Sequence, residues 1–108
     1  MRLMIRSLNA KLSDTVHDTI ERQFEYALSR FESRIDTVQF TMWDDNGPRG
    51  GVDQACQVQV HLKDGTDVMV SEVQDNLLTA VARVVDRVAQ TVTRTLERRR
   101  DIAHVRLV

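Results

Sequence analysis

Apolar positions along this 108-residue chain change their period from segment to segment, and each change marks an element. In residues 1–8, Leu3 and Ile5 alternate with Arg2, Met4 and Arg6, which predicts a first strand with Leu3 and Ile5 facing inward. Ser13-Asp14 then offers an N-cap. From Thr15 to Glu32 the apolar residues Val16, Ile20, Phe24, Ala27, Leu28 and Phe31 recur at helical spacing. Alternation returns over residues 35–43, with Val38, Phe40 and Met42 on one face and Thr37, Gln39, Thr41 and Trp43 on the other. It returns again over residues 55–62, where Cys56, Val58, Val60 and Leu62 oppose Gln57, Gln59 and His61. Asp64-Gly65-Thr66 predicts a tight hairpin turn, and Thr66 to Glu72 a further strand with Val68 and Val70 inward. Residues 75–100 complete the pattern as a long amphipathic helix, with Leu77, Val81, Val84, Val85, Val88, Val92 and Leu96 on one side.

The resulting order is β-α-β-β-β-α. Strands that alternate apolar and polar positions need cover on one face only, so both helices are expected on the apolar face of a four-stranded sheet, an α+β fold. The three hairpin-linked strands should be antiparallel. The first strand, crossing over through the first helix, should lie parallel to the second. No internal repeat, linker or low-complexity segment divides the chain. A single domain over residues 1–108 is expected, with its core in about 2–100 and a short tail at 101–108.

Composition leaves this picture intact. Apolar content of 42% and charged content of 29% fit a soluble globular domain. No stretch approaches the roughly 20 apolar residues of a membrane span, and the first residues are too short and polar for a signal peptide. Cys56 is the single cysteine, which excludes an internal disulfide and fits a reducing compartment. A cytoplasmic protein without a membrane partner is expected.

Charge changes the picture more. The formal net charge of −1 hides an asymmetry: residues 1–75 carry 8 Lys/Arg against 13 Asp/Glu, whereas residues 76–108 carry 7 against 3. On the last helix Arg83, Arg87, Arg94 and Arg98 share an arc of about 60° opposite the apolar stripe, and Arg99 and Arg100 extend the charge at its end. Two readings stand side by side. The arginines are either a solvated face that offsets the helix dipole, or a ladder of planar guanidinium donors suited to phosphate. On the first helix Arg22, Tyr26 and Arg30 follow at i, i+4 and i+8, away from the apolar stripe. That row can stack on a base and hold phosphates. Alternatively Tyr26 lies flat beside the neighbouring helix while the arginines pair with Asp18, Glu21 or Glu25.

The loop from Asp44 to Asp53 holds three of the four glycines and the only proline. It joins two strands and lacks the Lys-Ser/Thr ending of a phosphate-cradling loop, so a hairpin loop is expected, with Arg49 at its tip as an extra phosphate contact. His17, His61 and His104 sit on separate elements and Cys56 points inward, a pattern without metal-ligand spacing. Carboxylates are scattered rather than paired. No catalysis, metal, cofactor or small-molecule substrate is expected.

Three local matches then carry a resemblance. Phe31-Glu32-Ser33-Arg34-Ile35 joins the first helix to the second strand, and Asn46-Gly47-Pro48-Arg49-Gly50-Gly51-Val52-Asp53-Gln54-Ala55-Cys56 crosses the loop. Glu72-Val73-Gln74-Asp75, then Ala80-Val81 and Val84-Val85-Asp86-Arg87-Val88, opens the last helix. In this order the chain resembles the short-form ribosome hibernation factors, the family of hibernation promoting factor and ribosome-associated inhibitor A, also called the sigma-54 modulation protein family. The resemblance implies a fold like a double-stranded-RNA-binding domain and a place on the small ribosomal subunit. There, members touch 16S rRNA in the decoding region and block the messenger and tRNA sites in resting or stressed cells. It carries RNA contact onto Arg87, Arg94 and Arg98, with Arg83 on the same stripe, and onto Arg22 and Arg30 after a one-residue shift. Leu78 stands where the family often has an aromatic, and Ala82 where it often has an acid. The C-terminal dimerisation domain of long-form members is not expected in this length. The other functional class in view is a protein-interaction module of the same fold that modulates a transcription or stress-response factor.

Overall fold

The computed structural model describes the backbone of residues 1–46 and 52–106, and the side chains of 1–45 and 53–98. Strand β1 (Arg2–Ser7) leads into helix α1 (Asp14–Leu28), a 3-10 segment (Ser29–Arg34), strands β2 (Ile35–Asn46), β3 (Val52–Leu62) and β4 (Asp67–Gln74), and helix α2 (Leu77–Arg106). The four strands form one sheet in the order β1-β2-β3-β4. β1 pairs parallel with β2, and β2-β3 and β3-β4 are antiparallel, as the alternation and the crossover predict. No helix of the described residues is long and apolar enough to cross a membrane.

Local chemistry sets the boundaries. Ser13 caps α1, its side chain accepting from the Val16 amide at 3.2 Å. Asn76 caps α2: its Oδ1 accepts from the amides of Leu78 at 2.9 Å and Thr79 at 3.2 Å. The β3–β4 turn closes through the Leu62 amide on the Thr66 carbonyl at 2.8 Å and the Gly65 amide on the Leu62 carbonyl at 3.0 Å. Gly65 adopts φ 93°, a conformation that a Cβ would strain.

Several expected bounds need correction. The last helix, expected over residues 75–100, opens at Leu77 and runs on to Arg106, through most of the expected tail. The first helix does not run to Glu32. It ends at Leu28 and tightens into the 3-10 segment, in which Leu28 and Phe31, three residues apart, fall on the same side at three residues per turn. Phe31 therefore still packs against the core. Strands β2 and β3 also run further than the apolar alternation, to Asn46 and from Val52, because their ladder continues through Trp43–Ala55, Asp44–Gln54 and Asp45–Asp53.

The core lies between the sheet and the two helices. Val38, Phe40, Met42, Cys56, Val58 and Val60 are buried on the sheet, Ile20, Phe24 and Leu28 on α1, and Val81, Val84, Val88 and Val92 on α2. Phe24 and Phe40 meet edge to face with ring centroids 5.7 Å apart. No polar or charged residue is buried among the described residues.

Replacing the α2 cap, Asn76→Ala, is expected to cost about 1 kcal/mol. Thermal melting followed by circular dichroism should show a midpoint lower by about 4–8 °C, with the folded spectrum unchanged. A midpoint within error of the wild type would mean that solvent satisfies those amides equally well.

Candidate nucleic-acid interface

Once its valines are buried, α2 retains two other faces of different chemistry. The face toward α1 presents Ala82, Val85, Asp86 and Ala89. At 100° per residue, Arg83, Arg87, Arg94 and Arg98 lie about 140° round the helix from the centre of that face. All four are exposed. This second side overhangs the edge strand β4, where Arg87 Nη1 donates to the Ser71 carbonyl at 2.6 Å and to Glu72 Oε2 at 2.7 Å.

Glu72 occupies the inward position that follows Val68 and Val70 along β4, and its side chain is only 14% exposed. Gln74 Nε2 donates to its other oxygen at 2.8 Å. These contacts hold the carboxyl below the ordinary carboxylate range. The hydrogen bond from Gln74 contributes most, followed by that from Arg87, and then the charges of Arg87 and Arg83, against the opposing effect of burial. The structure thus divides the stripe. Arg87 is held on β4, whereas Arg83, Arg94 and Arg98 make no hydrogen bond or close ion pair among the described residues.

The row expected on the first helix is divided as well: Arg22 and Tyr26 stand on α1, whereas Arg30 lies beyond it in the 3-10 segment. Arg22 and Tyr26 join Thr19, Gln23 and Ala27 along one wall of a groove between the helices, with Ala82, Val85, Asp86 and Ala89 opposite and a volume of about 590 Å³. Tyr26 is 88% exposed, so it does not lie flat beside α2. Neither arginine forms a close pair with Asp18, Glu21 or Glu25. Arg22 Nε reaches the Asp18 carbonyl at 3.4 Å. Arg30 turns to α2, where Nη2 donates to Thr93 Oγ1 at 3.0 Å and the guanidinium stands 4.7 Å from the centre of the Phe31 ring. With Arg34, Ser33 and Glu97 it lines a separate depression of about 440 Å³.

The residues singled out from the sequence therefore fall on three surfaces rather than one. Arg83, Arg87, Arg94 and Arg98 follow the β4 side of α2, Arg22 and Tyr26 line the interhelical groove, and Arg30 bridges the end of α1 to α2. Arg49 lies outside the described residues. Arg34 and Asp86 join these surfaces although the sequence pattern did not single them out as contacts. The signal for Asp86 was its helical phase, which places it between Ala82 and Ala89.

The remaining reactive groups are accounted for locally. Cys56 Sγ is buried 3.8 Å from the Ala80 carbonyl oxygen, and burial, with the charge of Glu72, pushes its thiol up to about 11. It stays protonated and unreactive. His61 Nδ1 lies 2.5 Å from Asp67 Oδ1 across the β3–β4 pair. On α1, His17, Asp18 and Glu21 bring ligand atoms within 4.8 Å of one another, a spacing at i and i+4 that the sequence reading passed over. All three are solvent-exposed side chains, and nothing else about them marks a metal centre.

The family model described as sigma 54 modulation protein / S30EA ribosomal protein matches residues 3–100. The chain belongs to this family. Among solved structures, the S30EA-type fold is shared with a ribosomal subunit interface protein from Coxiella burnetii, at TM-score 0.77 and 9% identity over 90% of this chain and 99% of that one. It is shared too with the N-terminal domain of Protein Y from Thermus thermophilus, at TM-score 0.67 and 22% identity over 88% of this chain and 99% of that one. A search of curated proteins finds no match. At these identities the two structures establish the fold, a sheet-and-two-helix domain in the order β-α-β-β-β-α.

The Glu72 cluster has a pH signature. Its folded carboxyl titrates below the ordinary value of 4.5, so the stability it contributes is present above that value and is lost as pH falls through the folded value. In urea titrations at descending pH, Glu72→Gln is expected to flatten the acid limb of the stability profile. A variant whose acid limb matched the wild type would remove Glu72 from the account.

Proposed function

We propose that this member of the family is a non-enzymatic, cytoplasmic, ribosome-associated translation inhibitor, a hibernation factor that binds 16S rRNA of the small subunit. It would act in the decoding region and block the messenger and tRNA sites in resting or stressed cells. The family match over residues 3–100 carries the ribosomal part of this reading, and the Coxiella relative's description as a ribosomal subunit interface protein supports it.

The rRNA part rests on one observation. On the β4 side of α2, Arg83, Arg94 and Arg98 are exposed and uncommitted, and the neighbouring Arg87 neutralises the nearest carboxylate, Glu72. A phosphate approaching the stripe therefore meets guanidinium groups, and the Glu72 carboxylate beneath them is already bound by Arg87. Arg22 and Arg30, at the groove and at the α1–α2 bridge, extend positive charge over the helical layer, and Arg49 is carried as a further contact. Such contacts act by releasing counterions from the RNA, so the interaction should weaken steeply with salt.

The triple variant Arg83→Glu, Arg94→Glu and Arg98→Glu is expected to lose co-sedimentation with small subunits on sucrose gradients while keeping the wild-type circular dichroism spectrum. In a binding titration at increasing salt, replacing the same three by Gln should reduce the slope of log affinity against log salt by about 2. Wild-type sedimentation by the charge-reversed protein would overturn the assignment of the stripe. Binding that survives nuclease digestion of the ribosome would point to a protein partner instead.

A further inference from the structure

The groove between α1 and α2 is chemically unlike the arginine stripe. Its walls are largely apolar and small, built by Ala27, Ala82 and Ala89, so two helices that pack closely elsewhere leave an open slot. At its rim stands Tyr26, 88% exposed, an aromatic ring open to solvent. Across the slot stands Asp86, a carboxylate with no hydrogen bond or ion-pair partner among the described residues. Arg22, its Nε only 3.4 Å from a backbone carbonyl, is the cation of the same rim.

This combination selects against some ligands. A phosphate would be repelled by Asp86 and would gain nothing from alanine walls. An apolar peptide side chain would leave that carboxylate covered and unmatched. A planar nucleobase fits every element: a ring to stack on Tyr26, thin apolar walls for its faces, and donors for Asp86. A carboxylate is acceptor-only, with two oxygens side by side. Guanine is the base that presents two adjacent donors, N1–H and the N2 amino group, on its pairing edge. Adenine and cytosine offer one amino donor beside an acceptor, and uracil one imino donor between two carbonyls.

We propose that the α1–α2 groove is a notch for an unstacked guanine of RNA, held by stacking on Tyr26 and read by Asp86, with Arg22 contacting its phosphate. The inference rests on the RNA-binding reading above and adds to it a base-specific contact separate from the stripe.

The full chain with labelled alanine methyl groups is titrated with GMP, and in parallel with AMP, CMP, UMP and ribose 5-phosphate. GMP should shift the Ala27, Ala82 and Ala89 methyl signals, with half-saturation on the order of 1 mM. The other three nucleotides should bind about tenfold more weakly, the discrimination of one bidentate edge contact. Ribose 5-phosphate should leave these signals unmoved. Asp86→Asn should reduce the GMP response to that of AMP, and Tyr26→Ala should weaken all four nucleotides. Equal responses to all four nucleotides, or a GMP response unchanged in Asp86→Asn, would overturn the guanine assignment, and silence toward GMP would overturn the notch. Co-sedimentation of the wild-type protein with small subunits is scored separately. Sedimentation with a silent groove removes the notch alone, whereas GMP binding without sedimentation leaves the notch standing and removes the ribosomal reading.

Discussion

Valine packing between α2 and the β3–β4 half of the sheet sets the direction of every other group on the helix. Val81, Val84, Val88 and Val92 are fully buried and lie on one side of α2, while Asp86, Arg83 and Arg87 lie elsewhere on its circumference. Rotating α2 by a single residue would swing the stripe about 100° and drive a charged side chain toward the sheet. Burying an unpaired charge costs several kcal/mol, so the apolar stripe and the charged faces lock the same rotation. The positions of the arginine stripe and of Asp86 are consequences of that lock.

The crossover topology adds a second constraint. β1 and β2 are parallel, so α1 must run back against both. β4 is antiparallel to β3, and β3 to β2, so α2 runs back in the same direction as α1. The two helices are therefore parallel, with the Ser13 and Asn76 caps at one end of the domain. Arg30, Arg94 and Arg98 lie toward the opposite end, where the helix dipoles present partial negative charge. The pairing also explains the groove. Parallel helices laid across one sheet face meet along their flanks, and alanines at the meeting line leave an opening where larger side chains would have closed it.

Strand order, helix count and nearly all of the core were legible in the sequence because each rests on a period. Val38-Phe40-Met42 and Cys56-Val58-Val60 alternate cleanly, and the valines of α2 repeat at helical spacing. The end of α1 was not legible, since three and 3.6 residues per turn cannot be told apart over the one turn that separates Leu28 from Phe31. Nor were the strand extensions. Asp44, Asp45 and Asp53 are poor strand formers alone, and the β2–β3 ladder recruits them. The candidate site was legible as a set of side chains and not as an arrangement. That Arg87 folds onto Glu72 depends on how α2 lies over an edge strand 15 residues away in sequence, which no local pattern encodes. That Tyr26 and Asp86 line one slot depends on the flank contact between two helices.

The grip of Arg87 on β4 has a meaning for the sheet itself. β4 is an outer strand of the sheet, and such an edge presents unpaired carbonyls and amides to any extended chain that drifts past. The guanidinium occupies the Ser71 carbonyl, and Glu72 sets an inward charge beside it. A foreign strand approaching there would have to displace a charged hydrogen bond before forming a neutral one. Arg87, part of the stripe and bound to β4 at once, thereby screens this stretch of the edge from strand addition.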